Sequence, residues 1–371
     1  MWFAAAALGA LTVLTGLLPL HDAADTLTRV APVMVFLVAM TVLAELADQA
    51  QLFDVAAVRA ARIARGRTWV LYAAVLALGT LVTVVLSLDT TAVLFTPVVL
   101  SLADRLDLDP LPFAFAAVWL ANTASLLLPV SNLTNLLAAG RLDLTPVEYA
   151  ARMALPAVVA VAMTCVVLSL RHRRALAGRY AVPGTERADD RVLVVAAGLS
   201  CVLLVPALLA GLPVAAASSL AALVLVATFL VRRRSALRPG LLPWRLLLLV
   251  LGLFLIVAAA GPHGLDQGLQ QAAGTGSRFR IVATAAVGAN LANNLPAYLA
   301  LDRVVPRREL LDVLLGVNLG PLILPWGSLA TLLWLERCRA RGVHISARRF
   351  ALSGLILVPP LLVGATLALH A

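Results

Sequence analysis

Long apolar runs alternate along this chain with short stretches that gather most of its charge. The runs fall at about 1–19, 30–46, 68–87, 91–103, 112–139, 153–170, 192–210, 214–231, 246–260, 280–301, 310–335 and 350–370. An α-helix needs roughly 20 such residues to cross a bilayer core of about 30 Å. The pattern therefore predicts an all-α polytopic membrane protein with nine or ten crossings at most. Run 91–103 is too short to span at about 1.5 Å per residue. Run 1–19 lacks a basic leader and a small-residue cleavage site, so it reads as a first membrane helix and not a signal peptide.

The charged stretches orient these helices. Residues 59–67 carry Arg59, Arg62, Arg65 and Arg67, and 171–191 carry six Arg. Residues 232–245 carry five Arg, and 336–349 carry five Arg against Glu336. The positive-inside rule places these stretches in the cytoplasm, with 20–29, 140–152, 211–213 and 261–277 outside. The N-terminus is then cytoplasmic and the C-terminus outside. Between Thr68, inside, and 140–152, outside, the number of crossings must be odd. Segment 68–103 is thus expected to be a re-entrant hairpin from the inside, tipped at Leu88–Thr91, with 112–139 crossing outward. The same logic makes 280–301 a hairpin from the outside, tipped at Leu291–Asn294, and 310–335 an inward crossing. Loop 302–309, with Arg303, Arg307 and Arg308, is the one violation of the rule.

An internal repeat supports this arrangement. NTASLLLPVSNLTNLL (122–137) matches NLGPLILPWGSLATLL (318–333) at seven of 16 positions without a gap. Leucine identities are weak evidence, but Asn122/Asn318, Pro129/Pro325 and the small polar pair after each proline carry weight. The loop after the first copy is neutral and the loop after the second is strongly basic, so the copies run in opposite directions. The expected fold is an inverted-repeat transporter with two hairpins and two broken helices. Residues 1–170 form the first half, 171–191 a cytoplasmic linker and 192–371 the second half. Breaks at membrane depth free backbone groups, which are tolerated only where they line a cavity or are covered by protein. Paired breaks of this kind build midplane binding sites in secondary transporters.

Composition agrees, with 62% hydrophobic and 13% charged residues and a mean hydropathy of +0.97. The net charge of +10 sits in loops facing an anionic leaflet, so nucleic acid is not an expected partner. All 29 basic residues are Arg. Cys165, Cys201 and Cys338 are far apart and form no metal spacing, so no cofactor is expected.

Polar residues at apparent membrane depth form four clusters. The candidate substrate ligands among them are Thr90, Thr91, Asn122, Thr123, Ser131, Asn132, Asn293, Asn294, Asn318 and Ser328. Ser125 and Thr134 suit bonds back to their own helices. Asp89 stands apart as the only acidic residue deep within any predicted span. Burying an ionised carboxylate is costly, which makes Asp89 the candidate for proton or cation coupling. The alternative is a cap for the free N–H groups that open 91–103. Glu45 and Asp48 are expected in water at a helix end. With no buried cation, a site of Asn, Ser and Thr suits a small neutral hydroxylated solute at least as well as an anion held by helix N-termini. A passive channel is the reading from another class. A membrane enzyme is least favoured, because no nucleophile–base or metal set appears.

At these residues the chain resembles the ArsB-type arsenite permeases of the ion transporter superfamily. The matching stretches are AELADQAQLFD (44–54), DTTAVLFTP (89–97), ANTASLLLPVSNLTNLL (121–137), ANNLPAYL (292–299) and NLGPLILPWGSLATLLWL (318–335). The resemblance implies arsenite and antimonite export from the cytoplasm across the inner membrane in exchange for protons. It also makes a soluble ATPase subunit a candidate partner beside the lipid bilayer, and a homodimer a candidate assembly. The chain departs from the family at Leu88, where Asn precedes the hairpin Asp, and at Val317-Asn318, where the family carries Cys-Asp. Sister branches of the superfamily carry citrate, sulfate or sodium.

Overall fold

A computed structural model describes residues 2–184, 188–274 and 277–371; part of the predicted 171–191 linker, residues 185–187, lies outside them. The helices run α1 (Trp2–Leu14), α2 (Leu20–Gln49), α3 (Leu52–Ile63) and α4 (Thr68–Val85), then α5 (Leu88–Thr90), a π-turn at Thr91–Phe95 and α6 (Thr96–Arg105). They continue as α7 (Pro110–Thr123), α8 (Leu133–Arg141), α9 (Pro146–Arg171), α10 (Arg173–Leu176), α11 (Arg191–Leu209), α12 (Val214–Arg232) and α13 (Trp244–Ala260). The last are α14 (Asp266–Ala273), α15 (Arg278–Ala292), α16 (Asn294–Asp302), α17 (Leu310–Leu319), α18 (Leu329–Ala340) and α19 (Ala347–Leu369). Among the described residues the sole extended pairing is the single bridge Arg67–Arg179.

Among the described residues, seven stretches are long and apolar enough to cross a membrane: Val30–Gln49, Thr68–Val85, Pro146–Arg171, Arg191–Leu209, Val214–Arg232, Pro239–Ala273 and Ala347–Leu369. Their outward positions, such as Val202, Leu203, Leu223 and Ile356, are exposed hydrophobics. Asn122, Asn132, Asn135 and Asn318 are instead buried. An apolar exterior around a polar interior is what hydrocarbon as solvent demands. Small residues permit the closest helix crossing: a Cβ on Gly9 of α1 would lie 2.8 Å from Gly252 Cα on α13.

Contacts sort the loops onto two faces. On one face Asp189 N donates to Gln51 Oε1 at 3.0 Å, Arg232 pairs with Asp190 at 2.9 Å, and Tyr180 OH donates to Ala61 O at 2.6 Å. Arg245 stacks over Trp2 at 6.0 Å, beside a cavity that Glu45 also lines. On the opposite face Arg141 meets Asp302 at 3.6 Å, Arg303 meets Asp266 at 3.2 Å, and Arg307 meets Asp143 at 3.5 Å. His370 meets Asp312 there at 2.9 Å. Trp2 and His370 therefore lie on opposite faces.

The loop that violates the charge rule has acidic neighbours. Arg303 and Arg307 each have an acidic partner from another loop, and Arg308 lies 3.5 Å from Glu309. The Arg307 and Arg308 side chains remain exposed in these pairs, and acidic neighbours count for little in the charge rule, so the violation stands.

The two broken helices run antiparallel. α7 starts at the arginine-rich face, where Tyr72 OH donates to Pro112 O at 3.3 Å, and α8 ends at Arg141 on the other. α17 starts beside Arg307, and α18 returns to the arginine-rich face, where Trp334 Nε1 donates to Ala114 O at 2.9 Å. Segment 68–112 likewise leaves and rejoins one face, and 278–302 the other. The first turn differs from expectation. It lies at Leu86–Ser87, not Leu88–Thr91, because Ser87 is extended (φ 166°, ψ 168°) and residues 88–90 already begin the returning helix. The charge pattern also concealed α3 and α14. α3 buries Phe53, Ala57, Ala60 and Ala61 and turns Arg59 and Arg62 outward, so a stretch read partly as a basic loop is an amphipathic helix.

Candidate substrate and coupling site

A cavity of about 340 Å³ runs from Trp2, Glu45 and Arg245 at the arginine-rich face to Ser87, Asp89, Thr90 and Asn132. An adjoining cavity of about 120 Å³ shares Asp89 and Asn132 with it and adds Thr134, Asn293 and Asn294. The lining thus takes polar groups from the turns and breaks of both repeats.

Asp89 is partly exposed and borders both cavities. Its carboxylate has no hydrogen-bond or ion-pair partner among the described residues. The cap is Ser87, whose Oγ accepts Thr90 N at 3.1 Å and lies 3.0 Å from Thr90 Oγ1. The capping alternative for Asp89 therefore has no support here, and the carboxylate is left to face the cavity. The π-turn that follows is a local departure from α-geometry of a kind that recurs at functional sites.

Several other candidates hold the breaks together behind the lining. Asn318 Oδ1 accepts Asn132 Nδ2 at 3.0 Å and Thr134 Oγ1 at 2.8 Å, while Asn318 Nδ2 donates to Asn135 Oδ1 at 2.8 Å. Asn135 Nδ2 in turn satisfies Ser125 O at 2.6 Å and Leu128 O at 3.1 Å, carbonyls at the first break. Asn290 serves the second break, donating to Gly320 O at 2.8 Å and accepting Leu324 N at 2.9 Å. Buried backbone groups need partners, and a side-chain amide offers both donor and acceptor. Asn318 uses both, which an ionised carboxylate at this position could not do.

The remaining candidates lie within the packing. Thr91 Oγ1 is 2.8 Å from Thr83 Oγ1, Thr123 bonds back to Trp119 O at 2.9 Å, and Ser131 Oγ donates to Val84 O at 2.7 Å. Ser328 caps α18 by accepting Thr331 N at 3.1 Å. Asn122 donates to Val118 O at 2.9 Å, and its Oδ1 is buried without a partner among the described residues. The sequence-aligned pair Asn122/Asn318 thus has different surroundings in its two copies. Asn293 takes a positive φ of 88° at the second turn, and Asn294 N donates to Gly327 O at 2.9 Å. Of the expected ligands, Thr90, Asn132, Asn293 and Asn294 border the cavities with Asp89. Thr91, Asn122, Thr123, Ser131, Asn318 and Ser328 do not.

Two expectations need correction. Glu45 borders the larger cavity and is partly buried, not freely solvated. Arg245 brings a cation to the cavity mouth, where the loop pattern gave no sign of one. Asp312, 1% exposed and held by His370, stands at the start of α17 on the opposite face and not deep in its span. Ser87 was the other residue missed, although Ser87-x-x-Thr90 is a readable capping spacing. None of the three cysteines lines either cavity.

The geometry can be set beside known proteins. A family model described as a citrate transporter matches residues 1–331. The arsenical pump membrane protein of Yersinia enterocolitica is 31% identical over 333 residues, 80% of this chain and 76% of that protein. The arsenical pump membrane protein of Escherichia coli strain K12 is 30% identical over 330 residues, with the same shares covered. The crystal structure of the YdaH transporter of Alcanivorax borkumensis superposes with a TM-score of 0.59 at 16% identity. That match covers 95% of this chain and 89% of YdaH, and it speaks for the fold alone.

Proposed function

The chain belongs to the ArsB-type branch of the ion transporter superfamily, and we propose that it exports arsenite and antimonite from the cytoplasm in exchange for protons. It is a multi-pass membrane transporter and not an enzyme. In this reading the arginine-rich face is cytoplasmic, the N-terminus lies there and the C-terminus lies outside. Segments 68–105 and 278–302 are re-entrant hairpins whose turns meet near mid-membrane. Each belongs to one half of the inverted repeat, 1–170 and 192–371.

The observation that carries the proposal is the Asp89 carboxylate, unpaired among the described residues, in a cavity whose polar groups beyond Glu45 and Arg245 at the mouth are amides and hydroxyls. Trivalent arsenic in water is a neutral trihydroxide, which donates O–H bonds. An ionised Asp89 accepts such bonds, and Thr90, Asn132, Asn293 and Asn294 supply further donors and acceptors. Protonation removes the charge that the apolar wall penalises and removes much of the accepting capacity. Proton and solute then compete for one group, which is the condition for exchange. An anion such as citrate would find its nearest cavity-lining cation, Arg245, only at the mouth.

Cells lacking their own efflux system and expressing this chain should accumulate less arsenite and antimonite and tolerate both better. Unchanged metalloid accumulation together with acquired citrate or sulfate uptake would move the protein to a sister branch. Expression without any ATPase subunit tests in the same cells whether the chain suffices alone.

A further inference from the structure

A second large cavity, about 650 Å³, opens among residues of the opposite face, including Thr26, Pro129, Arg141, Asp302 and Arg307. It shares one lining residue with the 340 Å³ cavity: Phe36. It shares none with the 120 Å³ cavity that adjoins the candidate site. We propose that the Phe36 ring is the seal between the two vestibules, the side chain that keeps protons and solutes from crossing without transport.

The surroundings support that assignment. Phe36 sits on α2, is 3% exposed, and follows Pro32, which lines the second cavity, by about one helical turn. The same division falls at the first break: Pro129 borders the far vestibule, and Val130 the near one. Two spaces large enough for several waters thus meet at Phe36, and the first break passes from one to the other between Pro129 and Val130. A hydrophobic constriction blocks ions because the hydrated ion cannot shed its water there, and such a block depends on side-chain bulk. Removing the ring would join the cavities into a single path. The inference needs only that the chain is a membrane transporter and does not depend on arsenite as the cargo.

The test uses the full chain in proteoliposomes with a trapped pH dye and an imposed proton gradient, without any transported solute. Wild-type vesicles should hold the gradient nearly as well as protein-free vesicles. Phe36→Ala should collapse it severalfold faster and also admit glycerol, a small neutral solute chosen as probe. Phe36→Trp, which keeps the bulk, should stay tight, and Phe36→Val should leak, giving the same comparison if the alanine variant is not recovered folded. Gradient retention by well-folded Phe36→Ala or Phe36→Val equal to wild type would overturn the proposal, as would a Phe36→Trp leak equal to that of the small variants. Arsenite flux read separately on the same vesicles distinguishes a wrong cargo from a wrong seal. A leak in Phe36→Ala with no arsenite transport by wild type leaves the seal standing and removes the cargo.

Discussion

At the scale of single residues, burial decides what a polar group can do. His172, just past the end of α9, is 8% exposed with Nε2 unpartnered among the described residues, and its ring lies 6.0 Å from that of Phe115. Desolvation first, and then Arg171 and Arg349 against the opposing Asp109, push its pKa down to about 4 from 6.5. The unfolded chain therefore binds the proton that the folded chain refuses between those values. The stabilising contribution of neutral His172 is complete above about pH 6.5 and is lost as the pH falls toward 4. The thermal midpoint of the solubilised protein should drop across that window, and His172→Phe should flatten the drop. An unchanged slope in the variant would assign the drop to other groups. Asp89 was legible in the sequence because an acidic residue inside an apolar run is rare enough to notice. Asn318 was legible as a candidate, but its bridging role was not, since that role lies in partners such as Asn132 and Thr134, 186 and 184 residues away.

At the scale of elements, the hydropathy pattern located both breaks because proline and small polar residues interrupt otherwise apolar runs. It missed α3, whose arginines alternate with buried alanines, because a window average cannot separate an amphipathic helix from a basic loop. Helix crossings were equally hidden. A Cβ on Gly316 of α17 would overlap Ala285 Cβ and Val282 O on α15, and one on Gly354 of α19 would overlap Leu322 O. The glycines let a broken helix approach its neighbours closely enough for Asn290 to reach the Gly320 carbonyl. Overpacking of this kind typically costs about 1–3 kcal/mol, so Gly316→Val should lower the thermal midpoint and the folded yield. Gly268 on α14 has nothing within 4 Å and no positive φ. Gly268→Ala should be neutral or stabilising by up to about 1 kcal/mol. Equal midpoints for Gly316→Val and wild type would show that α15 and α17 part more easily than this packing implies.

At the scale of the whole molecule, charge sorts the chain onto two faces, with loop 302–309 as the exception. Arginine-rich stretches gather on one face, while Arg303 and Arg307 on the other are matched by Asp266 and Asp143. The sequence could not show that match, because the partners sit 37 and 164 residues away. Between the faces, the amide network joining Asn132, Asn135 and Asn318 binds the antiparallel breaks into one structure beside the cavities. Asp89 is the ionisable group bordering both cavities that has no partner among the described residues, and the account depends on its carrying the proton. The most direct test measures uphill arsenite uptake into everted membrane vesicles energised to an acidic lumen, for wild type and Asp89→Asn. Asparagine keeps the shape and lacks the titrating proton. Wild type should concentrate arsenite in the lumen and lose that ability when an uncoupler is added. The variant, expressed and folded to the same level, should fail to concentrate arsenite while still equilibrating it down a gradient. Proton-driven accumulation by Asp89→Asn at the wild-type rate would contradict the account.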